Sequence, residues 1–183
     1  SAASDVYKRQ EHAFPWLFDE KRNTPAAMAQ HRWEHRAQLR ADNWTLDFIA
    51  RDVETQELVG VVDLSAENFA AAREVQTASW VLHRFQGQGY GTLIRQAVAE
   101  FSFSHLDAHS LRTCWIKTNR ASARVSEKMG YRIYTEKKEE PAGPEKINRP
   151  VVSARLSAAD YHRPDGLQLE VTGVGGQLLH MLS

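Results

Sequence analysis

The sequence lacks several features that would point to common protein classes. Cys114 is the single cysteine among 183 residues, which excludes an internal disulfide and a zinc site built from several cysteines. Lysine plus arginine and aspartate plus glutamate both number 23, so no net charge attracts nucleic acid or an anionic membrane. No apolar run approaches the roughly 18 residues of a membrane-spanning helix, and no signal-peptide core is seen at the start. We therefore expect a cytoplasmic protein with neither nucleic acid nor a membrane as partner.

The length and the first ten residues set the expected domain organisation. A chain of 183 residues is long enough to bury roughly 70% of its unfolded surface in one core. Residues 1–10, SAASDVYKRQ, show neither strand alternation nor a helical stripe. We interpret them as a non-native or disordered leader and predict a single domain over residues 11–183.

The first half of the domain predicts a helix followed by three strands. Thr24 followed by Pro25 is typical of an N-cap and a first helical residue, so a helix is expected over residues 24–42. The stretches WTLDFIA and ELVGVVDL flank a turn-like segment and predict a β-hairpin. The β-branched and aromatic stretch from residue 75 to 82 predicts a third strand.

The second half alternates helices and strands. Apolar residues from 93 to 101 recur with helical spacing, LRTCWI predicts a strand, and NRASARVSEKMGY predicts a helix that Gly130 ends. The stretches YRIYTE and VVSARLS predict a second hairpin around a polar loop at 137–150, and residues 161–183 predict a terminal strand with a short helix. This order favours an α/β (α+β) fold with a mixed, mostly antiparallel central sheet of about six to seven strands flanked by helices.

A glycine cluster lies between the third strand and the next helix. The stretch HRFQGQGYGTLIRQAVAEF, residues 83–101, places Gly87, Gly89 and Gly91 within five positions. One glycine is enough for a tight turn, whereas three alternating glycines favour a backbone that approaches a ligand closely and directs several N–H groups at it. A helix that starts here adds its unpaired N–H groups and the positive end of its dipole. The cluster predicts a phosphate or diphosphate site.

Two familiar phosphate loops do not match this cluster. A nucleotide P-loop requires a lysine after its last glycine, and none follows Gly91. A dinucleotide fingerprint requires G-x-G-x-x-G, but the spacing here is G-x-G-x-G, and the next predicted strand has no acidic residue at its end. The remaining pattern is QGQGYG, a match to Q-x-x-G-x-G.

Four stretches together resemble the GNAT superfamily of acetyl-CoA-dependent N-acetyltransferases. QGQGYG is similar to its diphosphate loop, TASWVL to the strand before it, NRASARVSEKMGY to a later helix and VVSARLS to a late strand. With FPW and GVVDLSAENF, the pattern looks like the Rim-type (RimJ/RimL-like) branch, whose members acetylate protein N-termini and small amines. The resemblance covers roughly residues 13–160. Because the family's first strand should precede FPW, where only the leader stands, a missing first strand stays an alternative.

The resemblance implies acetyl-CoA as cosubstrate, no metal, and a set of site residues. The backbone of Val81, Leu82 and His83 would pair with the pantetheine arm, and a backbone N–H near Leu82 would polarise the thioester carbonyl. Ser126 takes the place of a tyrosine that protonates the departing thiolate in many relatives, so Ser126 and Leu82 are the implied catalytic residues. The implied cofactor-binding residues are Val81, Leu82, His83, Gln86, Gly87, Gln88, Gly89, Tyr90, Gly91, Thr92, Asn119 and Ser126.

The amine and its base are less defined. An α-amine with a pKa near 7.7 to 8.0 is easier to deprotonate than a lysine near 10.4. Candidates for the base are Asp63, Glu67 and Glu74. The histidine pair at positions 31 and 35 lacks the glutamate of a zinc motif, so no metal is expected.

Several interpretations stay open at this point. The acceptor is either a protein N-terminus or a small-molecule amine, and a homodimer is one alternative for the assembly. A non-catalytic acyl-CoA-binding module or a truncated inactive homologue is the rival function. Cys114 is expected to be a small buried hydrophobe. Trp16, Trp33 and Trp44 are expected in the core, with the acceptor pocket as the alternative.

Overall fold

A computed structural model describes residues 24–138 and 150–182, with the side chains of residues 137 and 138 excepted. The predicted leader, Trp16 and most of the polar loop at 137–150 lie outside the described residues. The helices are α1 (Pro25–Ala37), α2 (Phe69–Ala72), α3 (Tyr90–Ser104), α4 (Arg120–Lys128) and α5 (Gly176–Leu182). The strands are β1 (Asn43–Arg51), β2 (Leu58–Glu67), β3 (Glu74–Val81), β4 (Ser110–Ile116), β5 (Arg132–Lys138) and β6 (Pro150–Ser157), and a 3-10 turn spans His83–Phe85.

The six described strands form one sheet in the order β1-β2-β3-β4-β6-β5. Four of the five neighbouring pairs are antiparallel, and β3 and β4 are parallel because α3 connects them across the sheet. The predicted mixed, mostly antiparallel sheet with flanking helices is therefore confirmed. Both predicted hairpins are also confirmed, as β1–β2 and β5–β6.

Strand alternation decides which side chains reach the core. In β4, Leu111, Thr113 and Trp115 are all buried, whereas Cys114 between them is exposed. Successive side chains point to opposite faces of a sheet, so one residue of an apolar run faces away from the core. The prediction that Cys114 is buried is wrong for this reason.

The predicted first helix is confirmed at its start. Thr24 is the N-cap, and its hydroxyl oxygen accepts a hydrogen bond of 3.1 Å from the Ala27 N–H. The helix ends at Ala37, and Trp33 on its surface is 63% exposed. Trp44 in β1 is in the core and donates its indole N–H to the Leu182 carbonyl at 3.1 Å. Of the two described tryptophans predicted for the core, only Trp44 lies there.

The segment after β6 crosses the molecule without joining the sheet. Residues 161–175 form no strand, so the predicted terminal strand is wrong, while the predicted short helix is α5. Leu182 in α5 packs in the same core as Trp44 of β1, at the far side of the sheet from β6. A chain that must cross the other strands to reach that position cannot extend alongside one of them.

No helix within the described ranges combines the length and the apolar character needed to cross a membrane.

Candidate functional site

A gap opens between the two parallel strands at the centre of the sheet. β3 and β4 pair over three residues only, from Glu74 opposite Ser110 to Gln76 opposite Arg112. β3 then continues to Val81 and β4 to Ile116 with no further pairing between them in the described chain. We call this space the interstrand gap. Because unpaired strand edges present backbone N–H and C=O groups, the gap can take an extended ligand as an added strand.

Backbone alternation shows which groups face the interstrand gap. The Leu82 N–H donates to the Val59 carbonyl of β2 at 2.8 Å and is therefore engaged on the other side of β3. Alternate residues of a strand direct their N–H groups to opposite neighbours. The N–H groups of Ser79 and Val81 therefore point toward the gap. The Val81 N–H is therefore a donor next to the expected position at Leu82.

Gly60 in β2 sets the position of the end of β3. A Cβ atom added at Gly60 would lie 2.3 Å from the Trp80 carbonyl oxygen and 3.2 Å from the Val81 Cα. Contacts this short force one of the two backbones to move. The absence of a side chain at position 60 therefore lets the end of β3 lie where it borders the gap.

Gly60→Ala is expected to weaken acetyl-CoA binding by about tenfold or more, because the end of β3 is pushed toward the gap. Overpacking is also expected to cost roughly 1 to 3 kcal/mol of unfolding free energy. Isothermal titration with acetyl-CoA and thermal melting check the two effects. Gly176→Ala is the matched control, since its added Cβ would meet nothing within 4 Å. Equal affinities in the two variants would contradict this role of Gly60.

The glycine loop, residues 86–91, presents unpaired backbone donors. Thr92 and Leu93 donate their N–H groups to the Gly89 carbonyl, but the N–H groups from residue 87 to 91 donate to no group of the described chain. Gly87 and Gly89 have φ angles of +75° and +91°, and Cβ atoms added there would meet nothing within 4 Å. Unpaired N–H groups around open space at a helix start fit a diphosphate.

Side chains of the loop brace it against the rest of the fold. The Gln86 amide donates to the Val81 carbonyl at 2.9 Å, and the Gln88 amide donates to the Arg84 carbonyl at 2.7 Å. The Tyr90 hydroxyl donates to the Asp52 carboxylate in the β1–β2 turn at 2.7 Å. This hydrogen bond raises the pKa of Tyr90. The side chains of the loop therefore hold its shape and leave the anion to the backbone.

Ser126 lies on α4 and faces α3. Its side chain is 1% exposed, and its hydroxyl oxygen lies 3.5 Å from Nη2 of Arg95 on α3. The expected pantetheine contact, Asn119, is the N-cap of α4 and accepts a hydrogen bond from the Ser122 N–H at 3.1 Å. Val125, next to Ser126, is about as close to Gly91 as Val81 is, which places this part of α4 beside the glycine loop.

A pair of carboxyl groups lies on the opposite face of the sheet from Val81. Asp47 in β1 is directly opposite Asp63 in β2, and Asp63 is directly opposite Ala78 in β3. One oxygen of Asp63, Oδ1, is buried without a hydrogen-bond partner in the described chain. Burial and the neighbouring Asp47 carboxyl raise the pKa of Asp63 to about 6.

Two basic side chains on α1 neighbour this pair. Nδ1 of His35 lies 3.2 Å from both carboxylate oxygens of Asp47, and Nη1 of Arg32 lies 3.2 Å from one of them. The charges of both groups lower the pKa of Asp63, but less than burial and Asp47 raise it. Asp63 is therefore a carboxylate that can take up a proton near neutral pH.

The other two candidate bases are placed differently. Glu67 is exposed at the end of β2. Glu74 forms ion pairs with Arg112 and Arg155, at 3.8 and 2.6 Å, and accepts a hydrogen bond from Ser110. Of the three sequence candidates, Asp63 is the one with a buried unpartnered oxygen beside β3.

The comparisons with known proteins identify the family. Residues 2–132 match the family profile described as an acetyltransferase (GNAT) domain. The chain belongs to this acetyltransferase family, whose members use acetyl-CoA as acetyl donor. No group of three or more histidine, cysteine or acidic residues that could hold a metal occurs in the described part of the chain.

Solved structures share the fold at low identity. A spermidine N-acetyltransferase from Vibrio cholerae, in complex with CoA and spermine, is 17% identical with a TM-score of 0.67, covering 80% of this chain and 83% of that one. A candidate ribosomal-protein-serine acetyltransferase from Vibrio cholerae is 17% identical with a TM-score of 0.61, covering 85% of this chain and 82% of that one. At these identities the likeness concerns the fold.

Sequence reasoning did not single out three residues of this site. Asp47 is a charged residue inside the alternating stretch WTLDFIA, and the hairpin register would have placed it near Asp63. Arg95 interrupts the apolar stripe of α3, which is a signal of an unusual buried charge. Gly60 carries no signal in the sequence, because its role depends on how closely β2 approaches β3.

Proposed function

We propose that the protein transfers the acetyl group of acetyl-CoA to a primary amine by direct attack of the amine on the thioester. The observation that carries this proposal is the row of unpaired N–H groups from residue 87 to 91 beside the interstrand gap. The unpaired N–H groups are suited to a diphosphate, and the interstrand gap is suited to an extended arm that contains amide groups. Acetyl-CoA contains both groups in one molecule.

The cosubstrate is bound mostly by backbone groups in this proposal. The pantetheine arm pairs with the β3 edge from Ser79 to Val81 and with the backbone of His83, with Leu82 engaged in the sheet. The diphosphate accepts hydrogen bonds from the glycine loop up to Thr92, and Asn119 contacts the arm from the start of α4. Gln86, Gln88 and Tyr90 hold the loop by the hydrogen bonds described above.

The reaction needs a hydrogen-bond donor to the thioester carbonyl, a base for the amine and a group that stabilises the thiolate. The Val81 N–H donates a hydrogen bond to the thioester oxygen as negative charge develops on it. Asp63 takes the proton that the amine loses when its nitrogen bonds to the acetyl carbon. Asp47 lies directly opposite Asp63 and contacts His35 of α1. The carbon–sulfur bond breaks with its electron pair on sulfur. Ser126 donates a hydrogen bond to this sulfur from the α3–α4 side of the gap.

The acceptor is a primary amine of low pKa, either a protein N-terminal α-amine or a small-molecule amine. An α-amine has a pKa about 2 units above that of Asp63, whereas a lysine lies about 4 units above it. Proton transfer to Asp63 therefore favours the α-amine. The sequence resemblance to the Rim-type branch, whose members acetylate protein N-termini and small amines, supports this choice of acceptor.

Thiol release from acetyl-CoA with a panel of amines tests this function. Peptides with a free N-terminus, the same peptides with a blocked N-terminus and a free lysine, and polyamines separate the acceptor classes. Release that depends on a free α-amine supports the proposal, with mass spectrometry locating the acetyl group. If acetyl-CoA raises the melting temperature but no amine is acetylated, the protein is a non-catalytic acyl-CoA-binding module and the enzyme proposal is wrong.

A further inference from the structure

Arg95 is a buried cation on α3 without an anionic partner in the described chain. It is 5% exposed, and its Nε atom is buried without a hydrogen-bond partner. Its guanidinium makes one side-chain hydrogen bond to the described residues, the 3.5 Å contact from Nη2 to the Ser126 hydroxyl, and its central carbon lies 5.0 Å from the centre of the Tyr131 ring. Burying a charge without a counter-charge is costly. Such a residue points to an anion that is present when the protein functions.

The other buried charge of α3 shows the contrast. Glu100 is 7% exposed, and its carboxylate lies 3.2 Å from Nη1 of Arg163. It also accepts hydrogen bonds from Ser104 at 2.8 Å and from Tyr161 at 3.5 Å. Glu100 is therefore neutralised by a cationic side chain, whereas no acidic side chain among residues 24–138 and 150–182 pairs with Arg95.

The position of Arg95 relative to the glycine loop indicates whether it serves the diphosphate or the thiolate of CoA. Arg95 follows Gly91 by about one helical turn, so it lies about 6 Å farther along the axis of α3, toward the C-terminal end of the helix. Ser126, which it contacts, follows Val125, and Val125 is near Gly91. In the proposed complex the diphosphate lies at the loop, and the pantetheine arm carries the sulfur away from it. The anion that forms farther from the loop is the CoA thiolate.

We propose that the Arg95 guanidinium, acting through the Ser126 hydroxyl, stabilises the thiolate of CoA as it leaves. This inference rests on the proposed function. Nη2 donates to the Ser126 oxygen, and the Ser126 hydroxyl donates its proton in a hydrogen bond to sulfur. The carbon–sulfur bond breaks with its electron pair on sulfur, and the thiolate is protonated afterwards, when Asp63 gives up the proton that it took from the amine. Arg95 keeps its own proton throughout, so it is a positioning residue.

The test measures the acidity of the thiol in bound CoA. Difference ultraviolet absorbance between the CoA and desulfo-CoA complexes follows thiolate formation as the pH is raised. In the wild-type protein, the pKa of the bound thiol is expected to lie about one unit or more below that of free CoA, as for a group beside an opposite charge. Arg95→Met, which fills the same space without charge, is expected to remove this difference. Ser126→Ala is expected to remove most of it with Arg95 in place.

Two controls distinguish an effect of the Arg95 charge on the thiolate from other effects of that charge. Arg124→Met removes an exposed charge from α4 and is expected to leave the thiol pKa unchanged. Desulfo-CoA has the diphosphate but no thiol, so its affinity is expected to be the same for the wild type and Arg95→Met. The kcat of Arg95→Met is expected to fall about tenfold, the rate equivalent of one pKa unit, with the Kd for acetyl-CoA unchanged.

The outcomes distinguish this inference from the proposed function. If CoA binds and the thiol pKa is the same in the wild type and Arg95→Met, the inference is wrong and the acetyltransferase proposal stands. If Arg95→Met weakens desulfo-CoA as much as CoA, Arg95 serves the phosphates and the inference is also wrong. If neither ligand binds the wild-type protein, the proposed function itself fails.

Discussion

Replacement of Gly89 by valine is expected to abolish measurable acetyl-CoA binding while the fold persists. Gly89 is the N-cap of α3 with a φ angle of +91°, in the left-handed region where a β-branched residue is strained. Its side chain would extend from the glycine loop into open space, where an added Cβ atom meets nothing within 4 Å and where we expect the diphosphate. Loss of two hydrogen bonds to a charged group, at roughly 1.5 to 3 kcal/mol each, predicts a rise in Kd of about a hundredfold or more.

A matched control separates the ligand from the backbone strain. Gly166 has a φ angle of +78°, and a Cβ atom added there would also meet nothing within 4 Å. Gly166→Val therefore introduces a similar strain away from the glycine loop. Calorimetric titration and thermal melting of both variants are expected to show similar losses of stability but a loss of affinity in Gly89→Val alone. Wild-type affinity in Gly89→Val would rule out the loop as the diphosphate site.

Replacement of Asp63 by asparagine is expected to lower kcat/KM by about a hundredfold or more, the contribution of a general base. The wild-type kcat/KM is expected to fall as the pH drops below about 6, because the pKa of Asp63 is raised to about 6 and the protonated carboxyl cannot accept a proton. In Asp63→Asn the limb near pH 6 is expected to be replaced by one near pH 7.7 to 8.0, the pKa of an α-amine, because only the amine that is already deprotonated then reacts. Steady-state rates over a pH series check both effects, and Glu67→Gln is the control because Glu67 is exposed at the end of β2.

The stability of the Asp63 variant has a predicted sign as well. Burial raises the pKa of Asp63 above its ordinary value of 3.8, so the folded protein binds this proton more tightly than the unfolded chain does. Stability from this group is therefore fully present below about pH 4 and is lost as the pH rises through about 6. At pH 7 Asp63→Asn is expected to melt at a higher temperature than the wild type. An inactive variant that is less stable would instead indicate a damaged fold, and a limb that stays near pH 6 in Asp63→Asn would exclude Asp63 as the base.

The fold was largely predictable because its signals are local. Thr24 and Pro25 define the start of α1 without reference to the rest of the chain, and Gly130 ends the segment that contains α4. The alternating stretches of both hairpins pair with their sequence neighbours. Each of these features depends on a few adjacent residues, which is the range over which sequence patterns are informative.

The errors lie where a residue's environment depends on distant parts of the chain. The apolar run around Cys114 indicates a strand but not which of its faces is covered. The stretch after residue 161 alternates like a strand, but α5 must reach the core beside Trp44, which directs that stretch across the sheet. Trp33 is a large aromatic residue of the kind expected in a core, but it is exposed on the surface of α1.

The candidate site divides in the same way. The glycine loop could be proposed from six consecutive residues, because the role proposed for it depends on backbone groups. The contact between Arg95 and Ser126 joins two helices, and the contact between Asp47 and Asp63 joins two strands, so both depend on packing and register. Selecting Asp63 from three acidic candidates required knowing which carboxyl group is buried beside β3.

The most direct test of the central claim is a titration of isotope-labelled protein with acetyl-CoA, observed by the amide resonances of the backbone. If the main-chain N–H groups of the glycine loop hold the diphosphate, the resonances of Gly87, Gly89 and Gly91 will show the largest shifts, with Val81 shifting as well. CoA is expected to reproduce these shifts, and pantetheine without the diphosphate is expected to shift Val81 but not the glycines. Saturable acetyl-CoA binding that leaves the three glycine resonances unmoved would contradict the account.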